Sequence, residues 1–297
     1  MAMSTLRIGA CSWKFPSWAG LVYSHAYDIN YLAEYAQRFR TVEIDQWFWS
    51  LFAQDQIGLP KKETVAEYLA SVDDAFRFTI KAPNSITLTH FYKKGSQRGS
   101  GPNPYFLSVP LLEDFLTSIE PMQPRTGSVM LQFEYLNKQK MGGLQEFLDR
   151  LGTFLEAIAS TDAAGWPLAI EVRNPNYLQP AFRELLASHR VAPVFCHGYY
   201  MPPAHSVFAD DRSGLAGPTV LRLLGPDRQG IEKETGKKWD AVVAPKDEEL
   251  PQLVDLALDL LAAGDVYVNV NNHYEGCAPA TIEKLERLID ERRNRER

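Results

Sequence analysis

The chain contains little cysteine, and its three cysteines lie far apart. Cys11, Cys196 and Cys277 are odd in number, and none forms a CxxC pair or stands at zinc-ligand spacing from a histidine. This distribution excludes a disulfide-stapled scaffold and a structural zinc finger. We expect the cysteines to act as small apolar side chains in the interior.

Long apolar runs are missing as well. No stretch approaches the roughly 18 consecutive apolar residues that a membrane-spanning helix needs. Residues 1–10 have no charged segment followed by an apolar one, so no signal peptide is predicted. We therefore expect a soluble, cytoplasmic protein with no membrane partner.

Positive charge is not in excess, since 31 Lys+Arg stand against 37 Asp+Glu for a formal net charge of −6. This balance does not favour a nucleic-acid partner. No glycine-rich phosphate-binding motif is found either. GACSW at residues 9–13 does not match the glycine fingerprint of a dinucleotide-binding site. The glycines before Lys237 have the wrong spacing for a P-loop, and no Ser or Thr follows that lysine.

What the sequence does contain is a regular alternation of strand-like and helix-like segments. The predicted strands are residues 6–11, 41–45, 76–81, 128–133, 168–172, 191–196, 219–223 and 265–270, and the clearest helices are 29–39, 63–72, 144–159, 250–263 and 280–293. Eight strands with helices between them favour a (β/α)₈ TIM-type barrel over an open α/β sheet. We predict one domain over residues 1–297, with long inserts near 84–105, 197–218 and 225–245 at the C-terminal face of the strands.

Charged residues alternate with apolar ones along these strands. Because successive side chains of a strand point to opposite faces, the apolar set should face the helices and the polar set the barrel lumen. The predicted lumen residues are Glu43, Asp45, Arg77, Thr79, Lys81, Gln132, Glu134, Glu171, Arg173, Arg222, Asn269 and Asn271. Buried charges must be paired, hydrated or covered by ligand, so this pattern predicts a charged pocket.

Six blocks, in order along nearly the whole chain, resemble the YecE-like family, whose members are proteins of unknown function. The blocks are IGACSW at 8–13 with Trp18 and Gly20, TVEID at 41–45, FRFTIKAP at 76–83, LQF at 131–133, AIEVR at 169–173, and NNH at 271–273 with Ala278. The resemblance implies a TIM-type barrel and no specific activity.

The chain departs from the family pattern at four places. It has CS at 11–12 where the family has Ser-Gly, Asp45 where it has Asn, and Glu134 where it has Pro. It also has RLLG at 222–225 where the family tends to have Arg-x-His-Gly, so no histidine role carries over to that position. These changes and the long inserts are consistent with a divergent branch and a changed substrate.

Glu43 and Glu171 are the first candidates for chemistry, because two carboxylates across a pocket can act as acid and base, or as acid and nucleophile, in glycoside cleavage. The alternative is a buried ion network in which they neutralise Lys81, Arg173 or Arg222. These three cations could equally hold an anionic ligand, since guanidinium groups bind carboxylate and phosphate with two parallel hydrogen bonds.

Other side chains supply further candidates. His90, which follows Thr89 as in the family, is a candidate acid or base. Glu43, Asp45, Glu171 and His273 could bind a divalent metal, with His197 as a further donor, although no HxH or HxxxH spacing supports such a site. Candidate substrate-binding residues are Gln132, Asn269, Asn271 and Trp13, the last from an aromatic group that could instead only pack at the barrel rim.

The sequence thus favours an enzyme with a small anionic or sugar-like substrate, most simply a hydrolase. A barrel that binds an anionic metabolite without catalysis, and a divalent-metal-dependent isomerase or phosphodiesterase, are the alternatives. No cofactor is required by the sequence, and the substrate and the oligomeric state stay open.

Overall fold

The computed structural model describes residues 4–53, 56–91, 101–207, 215 and 217–295. Eight parallel strands close into a barrel in which each strand pairs with the next in the chain and the last pairs with the first. The strands are β1 Leu6–Ala10, β2 Thr41–Ile44, β3 Arg77–Lys81, β4 Thr126–Gln132, β5 Leu168–Glu171, β6 Ala192–Gly198, β7 Thr219–Gly225 and β8 Val266–Val270. All eight predicted strands are confirmed, with ends that move by one to a few residues.

Helices connect the strands around the outside of the barrel. They are α1 Tyr31–Arg38, α2 Lys62–Ala70, α3 Val109–Ser118, α4 Leu144–Ile158, α5 Pro180–Ser188, α6 Ala204–Val207, α7 Arg228–Thr235, α8 Leu250–Leu260 and α9 Ala278–Arg295. Within the described ranges, none has both the length and the apolar character needed to cross a membrane.

The segment predicted as a long insert at 225–245 contains a helix, α7. Asp227 caps it by accepting a hydrogen bond from the Gly230 backbone N–H at 2.9 Å, and Gly236 ends it with a φ of 58°. A short polar helix carries little apolar periodicity, which is why the sequence pattern did not predict it. The other two predicted inserts, 84–105 and 197–218, lie partly outside the described residues.

The outward-facing strand residues form the main core. Val42, Phe78, Leu131, Ile170 and Val268 are almost fully buried in one continuous apolar cluster with the helices. The predicted alternation is therefore correct on the helix-facing side, where burial of these side chains supplies the main driving force for folding.

The barrel lumen is divided into two halves. Its lower part is apolar and holds Met130, Ala169, Ala192, Val194, Val220 and Tyr267. Tyr267 fills space beside Gly127, where any Cβ would collide with the tyrosine ring. The half nearer the strand C-termini holds the buried charged layer of Glu43, Glu171 and Arg222.

Strand register brings that layer together. Glu43 stands opposite Thr79, Gln132 opposite Glu171, and Arg222 opposite Asn269 across neighbouring strands. Parallel barrels keep their functional groups at this end. The fold therefore brings residues that are distant in sequence into one layer of the barrel lumen, which forms the floor of the cavity described below.

Candidate active site

A cavity of about 600 Å³ lies at the C-terminal ends of the strands. Glu43, Lys81 and Arg222 line it from the barrel, and Arg228 and Lys237 line it from α7 and the residues beyond. Both signs of charge therefore surround a space large enough for a small metabolite.

Arg222 is the centre of the cavity floor. Its Nε and Nη2 donate to the two carboxylate oxygens of Glu43 at 2.8 and 2.7 Å. Its Nη1 donates to Glu171 at 2.7 Å and to the Gln132 side-chain oxygen at 3.1 Å. One guanidinium thus bridges both carboxylates that the sequence analysis proposed for catalysis.

Glu43 has further support from the neighbouring strands. The Asn269 amide donates to a Glu43 oxygen at 3.1 Å and to the Thr79 hydroxyl at 2.9 Å, and the Cys11 thiol lies 3.6 Å from the same Glu43 oxygen. Asn269 is fully buried, so it positions Glu43 beneath the cavity. Burial, and then the Glu43 charge, raise the pKa of Cys11, which stays a thiol.

Electrostatics favour the charged forms of Glu171 and Arg222. Burial by itself disfavours a charged Glu171, but Arg173, Arg222 and Lys81 outweigh it and hold the pKa of Glu171 below its usual value. Burial likewise opposes a charged Arg222, yet Glu171 and Glu43 raise its pKa well above the usual value. Glu171 is therefore not suited to donate a proton as a general acid.

Arg173 differs from Arg222 because part of its guanidinium is unused. Its Nε lies 2.6 Å from Glu171, and its Nη2 donates weakly to Gln132 at 3.4 Å. Its Cζ lies 5.2 Å from the centre of the Tyr199 ring. Within the described part of the chain, Nη1 of Arg173 has no hydrogen-bond partner, and the residue lines the cavity.

Lys81 and Asp45 form the side of the cavity near β2 and β3. The Lys81 ammonium nitrogen lies 3.7 Å from the centre of the Phe48 ring, and the residue is 8% exposed. Burial, reinforced by the Arg222 charge, lowers the pKa of Lys81 to about 8. Burial and then the Glu43 charge raise the pKa of Asp45.

Two further predicted residues lie at the rim near α7. Asn271 accepts a hydrogen bond from the His273 backbone N–H at 3.0 Å, and His273 Nε2 lies 3.1 Å from Glu232. Burial outweighs the Glu232 contact and lowers the pKa of His273. Asn271 and His273 both line the cavity, as predicted for residues that follow β8.

The predicted site residues Trp13, His90 and Asn269 are not among the described residues that line the cavity. Trp13 is buried in the core with its ring edge-on to Tyr68, and the His90 ring nitrogen lies 3.0 Å from the Thr89 hydroxyl. Asn269 is buried below the cavity and donates a hydrogen bond to Glu43. Large aromatic and loop polar residues match many environments, so sequence alone could not separate these uses.

The predicted metal ligands are not grouped as a metal ion requires. Among the residues described, no three His, Cys, Asp or Glu side chains are arranged to hold one. Glu43 and Glu171 are bound to Arg222, and His273 faces Glu232 at the far rim. Of the predicted ligands, Glu43 and Glu171 are therefore already occupied by a cation of the chain itself, Arg222.

Several cavity residues were not predicted to bind ligand. They include Tyr199, Arg228, Lys237 and Trp239, whereas Phe48 belongs to the aromatic group that was considered for stacking on a ligand. Tyr199 and Arg228 follow β6 and β7 by a few residues, and position just after a barrel strand is the signal that could have identified them.

An eight-stranded parallel barrel with a charged cavity at its C-terminal end defines a TIM-type barrel protein with its pocket where barrel enzymes carry their sites. The family described as "Protein of unknown function DUF72" matches residues 7–297, and the chain belongs to this family. The resemblance to the YecE-like family is thereby confirmed.

Relatives and solved structures agree with this assignment. The chain is 28% identical over 174 residues to UPF0759 protein YecE of Escherichia coli K12, covering 58% of this chain and 50% of that protein. The match thus spans about half the length of this curated relative. DUF72 family proteins of Enterococcus faecalis V583 and Thermotoga maritima MSB8 superpose with TM-scores of 0.66 and 0.64, each at 20% identity, covering 96% of this chain and 96% and 99% of theirs.

Proposed function

We propose that the protein is an enzyme that acts on a small anionic substrate in the cavity at the C-terminal end of the barrel. One observation carries this proposal, the unused Nη1 edge of Arg173. The Arg173 side chain is only 15% exposed and is held by Glu171 and the Tyr199 ring, so its guanidinium is already oriented. A carboxylate or phosphate could accept hydrogen bonds from that edge.

The Glu43–Arg222–Glu171 network gives Arg173 its fixed position. Glu171 binds both arginines, Arg222 through Nη1 and Arg173 through Nε. We therefore assign Arg222, which the sequence analysis placed among the anion-binding cations, to the scaffold below the site. Arg173 keeps its anion-binding role in this proposal.

Hydrolysis is the simplest acid–base reaction for such a pocket, although the pairing of Glu43 with Glu171 has little support. Glu171 is kept ionised, and the two Glu43 oxygens already accept from Arg222. Asp45 is the better general acid, because it lines the cavity and burial raises its pKa.

A barrel that binds an anionic metabolite without converting it is the second candidate. The observation that favours it is that both buried glutamates are neutralised by arginines of the chain. In that case the network has only a structural role and the anion site works alone.

A thermal-shift screen with phosphorylated compounds, carboxylic acids and neutral sugars tests the proposal. A ligand at about 100 times its Kd should stabilise the protein by roughly 2.7 kcal/mol. We expect anions to raise the Tm of the wild type, little shift in Arg173→Gln, and an unchanged shift in Arg40→Gln. Arg40 is the control because it is an exposed arginine paired with Asp73, just before β2 at the opposite end of the barrel.

Two results would contradict the proposal or change its class. Anion shifts that persist in Arg173→Gln would remove the residue from the site. Saturable binding of a compound that stays unconverted on long incubation, followed by mass spectrometry, would select the binding protein over the enzyme.

A further inference from the structure

Lys81 is a buried amine in the cavity wall without an ionic partner. Within the described residues, no carboxylate oxygen lies within 4.0 Å of its nitrogen, and the ring of Phe48 is its close neighbour. Lys140 and Lys284, which are more exposed, are paired with Glu134 and with Glu275 and Asp247. A buried, unpaired ammonium is unfavourable, so its presence at a cavity points to a chemical use.

The surroundings of Lys81 favour the neutral amine. Burial and the adjacent Arg222 charge lower the pKa to about 8, despite the opposing charges of Glu43, Glu171 and Asp45. At neutral pH the nucleophilic fraction is then on the order of 100-fold larger than for an exposed lysine. Desolvation next to another cation is a recognised way to activate a lysine toward carbonyl groups.

Asp45 supplies the proton that such chemistry needs. It lines the same cavity, and its charge acts on Lys81. Because burial and the Glu43 charge raise the pKa of Asp45, its carboxyl group retains a proton to higher pH than an exposed aspartate does. An acid and an amine whose pKa values are both shifted toward the neutral form therefore line one cavity.

We propose that Lys81 is a nucleophile that forms an imine with an aldehyde or ketone group of the substrate. The amine lone pair attacks the carbonyl carbon, a C–N bond forms, and one proton passes from the nitrogen to the carbonyl oxygen to give a carbinolamine. Asp45 protonates the hydroxyl group, which leaves as water while the nitrogen lone pair forms the C=N bond. The resulting iminium then returns its N–H proton to the Asp45 carboxylate. The net change is amine plus carbonyl to imine plus water.

This inference rests on the proposed function in one respect, since the same cavity holds the substrate and Arg173 binds its anionic group. Together the two residues define a substrate class, a small carbonyl compound with a carboxylate or phosphate. An imine withdraws electrons from adjacent bonds, so the reaction would make or break a bond next to that carbonyl carbon.

Reductive trapping tests the proposal. The full chain is incubated with pyruvate or with acetaldehyde, reduced with sodium borohydride, and digested for peptide mass spectrometry. At neutral pH we expect labelling at Lys81 on the order of 100-fold faster than at Lys237, which lines the same cavity with a side chain that is 70% exposed. Lys81→Arg should abolish this labelling, and Lys138→Arg, at an exposed lysine outside the cavity lining, should leave it unchanged.

The two probes separate this inference from the anion site. Labelling of Lys81 by acetaldehyde, with no preference for pyruvate and no effect of Arg173→Gln, would support the imine and refute the anion site. A thermal shift with pyruvate but no trapped adduct would support the anion site and refute the imine. Equal labelling of Lys81 and Lys237, or an unchanged adduct in Lys81→Arg, would overturn the assignment of Lys81 as nucleophile.

Discussion

Replacing Arg222 by methionine should destabilise the fold strongly. Arg222 is 3% exposed and binds two fully buried carboxylates, so Arg222→Met leaves Glu43 and Glu171 without their shared counter-charge. Arg173 still faces Glu171, but among the described residues Glu43 keeps as hydrogen-bond partners only the Asn269 amide and the Cys11 thiol. Removing one partner of a buried ion pair costs about 3–5 kcal/mol. For a chain of 297 residues this corresponds to a fall in Tm of about 5–8 °C.

Urea denaturation followed by circular dichroism measures the loss, and two variants make it specific. Arg228→Met removes an arginine of the same cavity that is 62% exposed and paired with Glu232, and it should cost less than about 1 kcal/mol. Combining Arg222→Met with Glu43→Gln and Glu171→Gln removes the stranded charges and should recover most of the stability. The reasoning is refuted if Arg222→Met costs no more than Arg228→Met, or if the triple variant is no more stable than the single one.

Three further predictions concern pH and packing. The pKa of Lys81 is about 8 in the folded protein and about 10.5 in the unfolded chain, so the unfolded chain binds more protons between these two pH values. The stability of the wild type should therefore rise with pH across this window. Lys81→Met should remove that rise, as measured by the urea midpoint. The pKa of Glu171 is lower in the folded protein than in the unfolded chain, so its ionised carboxylate stabilises the fold above about pH 4. This stabilisation is lost as the pH falls through the folded pKa. Glu171→Gln should therefore weaken the dependence of Tm on acidic pH. A Cβ at Gly9 would collide with the Thr41 carbonyl, so Gly9→Ala should lower the free energy of unfolding by about 1–3 kcal/mol, as measured by urea denaturation. Gly101→Ala, where the space is open, should not lower it. The first argument is contradicted if the wild type and Lys81→Met show the same pH dependence of the urea midpoint. The second is contradicted if Glu171→Gln leaves the acid dependence of Tm unchanged, and the third if Gly9→Ala does not change the free energy of unfolding.

The barrel could be predicted because its signals are local. The alternation of apolar and polar residues, as in Val42, Glu43 and Ile44, indicates which face of a strand is apolar. Eight such strands separated by helices predict a closed barrel, which the structure has. Helices α3 and α5 lie where the alternation predicts helices, but the sequence analysis gave them no bounds. Each has proline in its first turn and buried apolar residues one turn apart, such as Leu112 and Leu116 in α3.

The site could be predicted only as a set of residues. Glu43, Glu171 and Arg222 were expected to face the lumen, and the structure brings them into contact across separations of 179 and 51 residues. Side-chain geometry decides which arginine is bound by both carboxylates and which keeps a nitrogen available for ligand. The spacing of residues in the sequence does not contain this information. The same limit explains why Lys81 was grouped with the anion-binding cations and Asp45 with the metal ligands.

A crystal structure of the protein with the compound that gives the largest thermal shift tests the central claim most directly. The account predicts that the anionic group of this compound accepts hydrogen bonds from Arg173 inside the cavity, with Arg222 still bound to Glu43 and Glu171. A ligand seated elsewhere on the barrel, or an anion that displaces Glu43 from Arg222 and leaves Arg173 untouched, would contradict it.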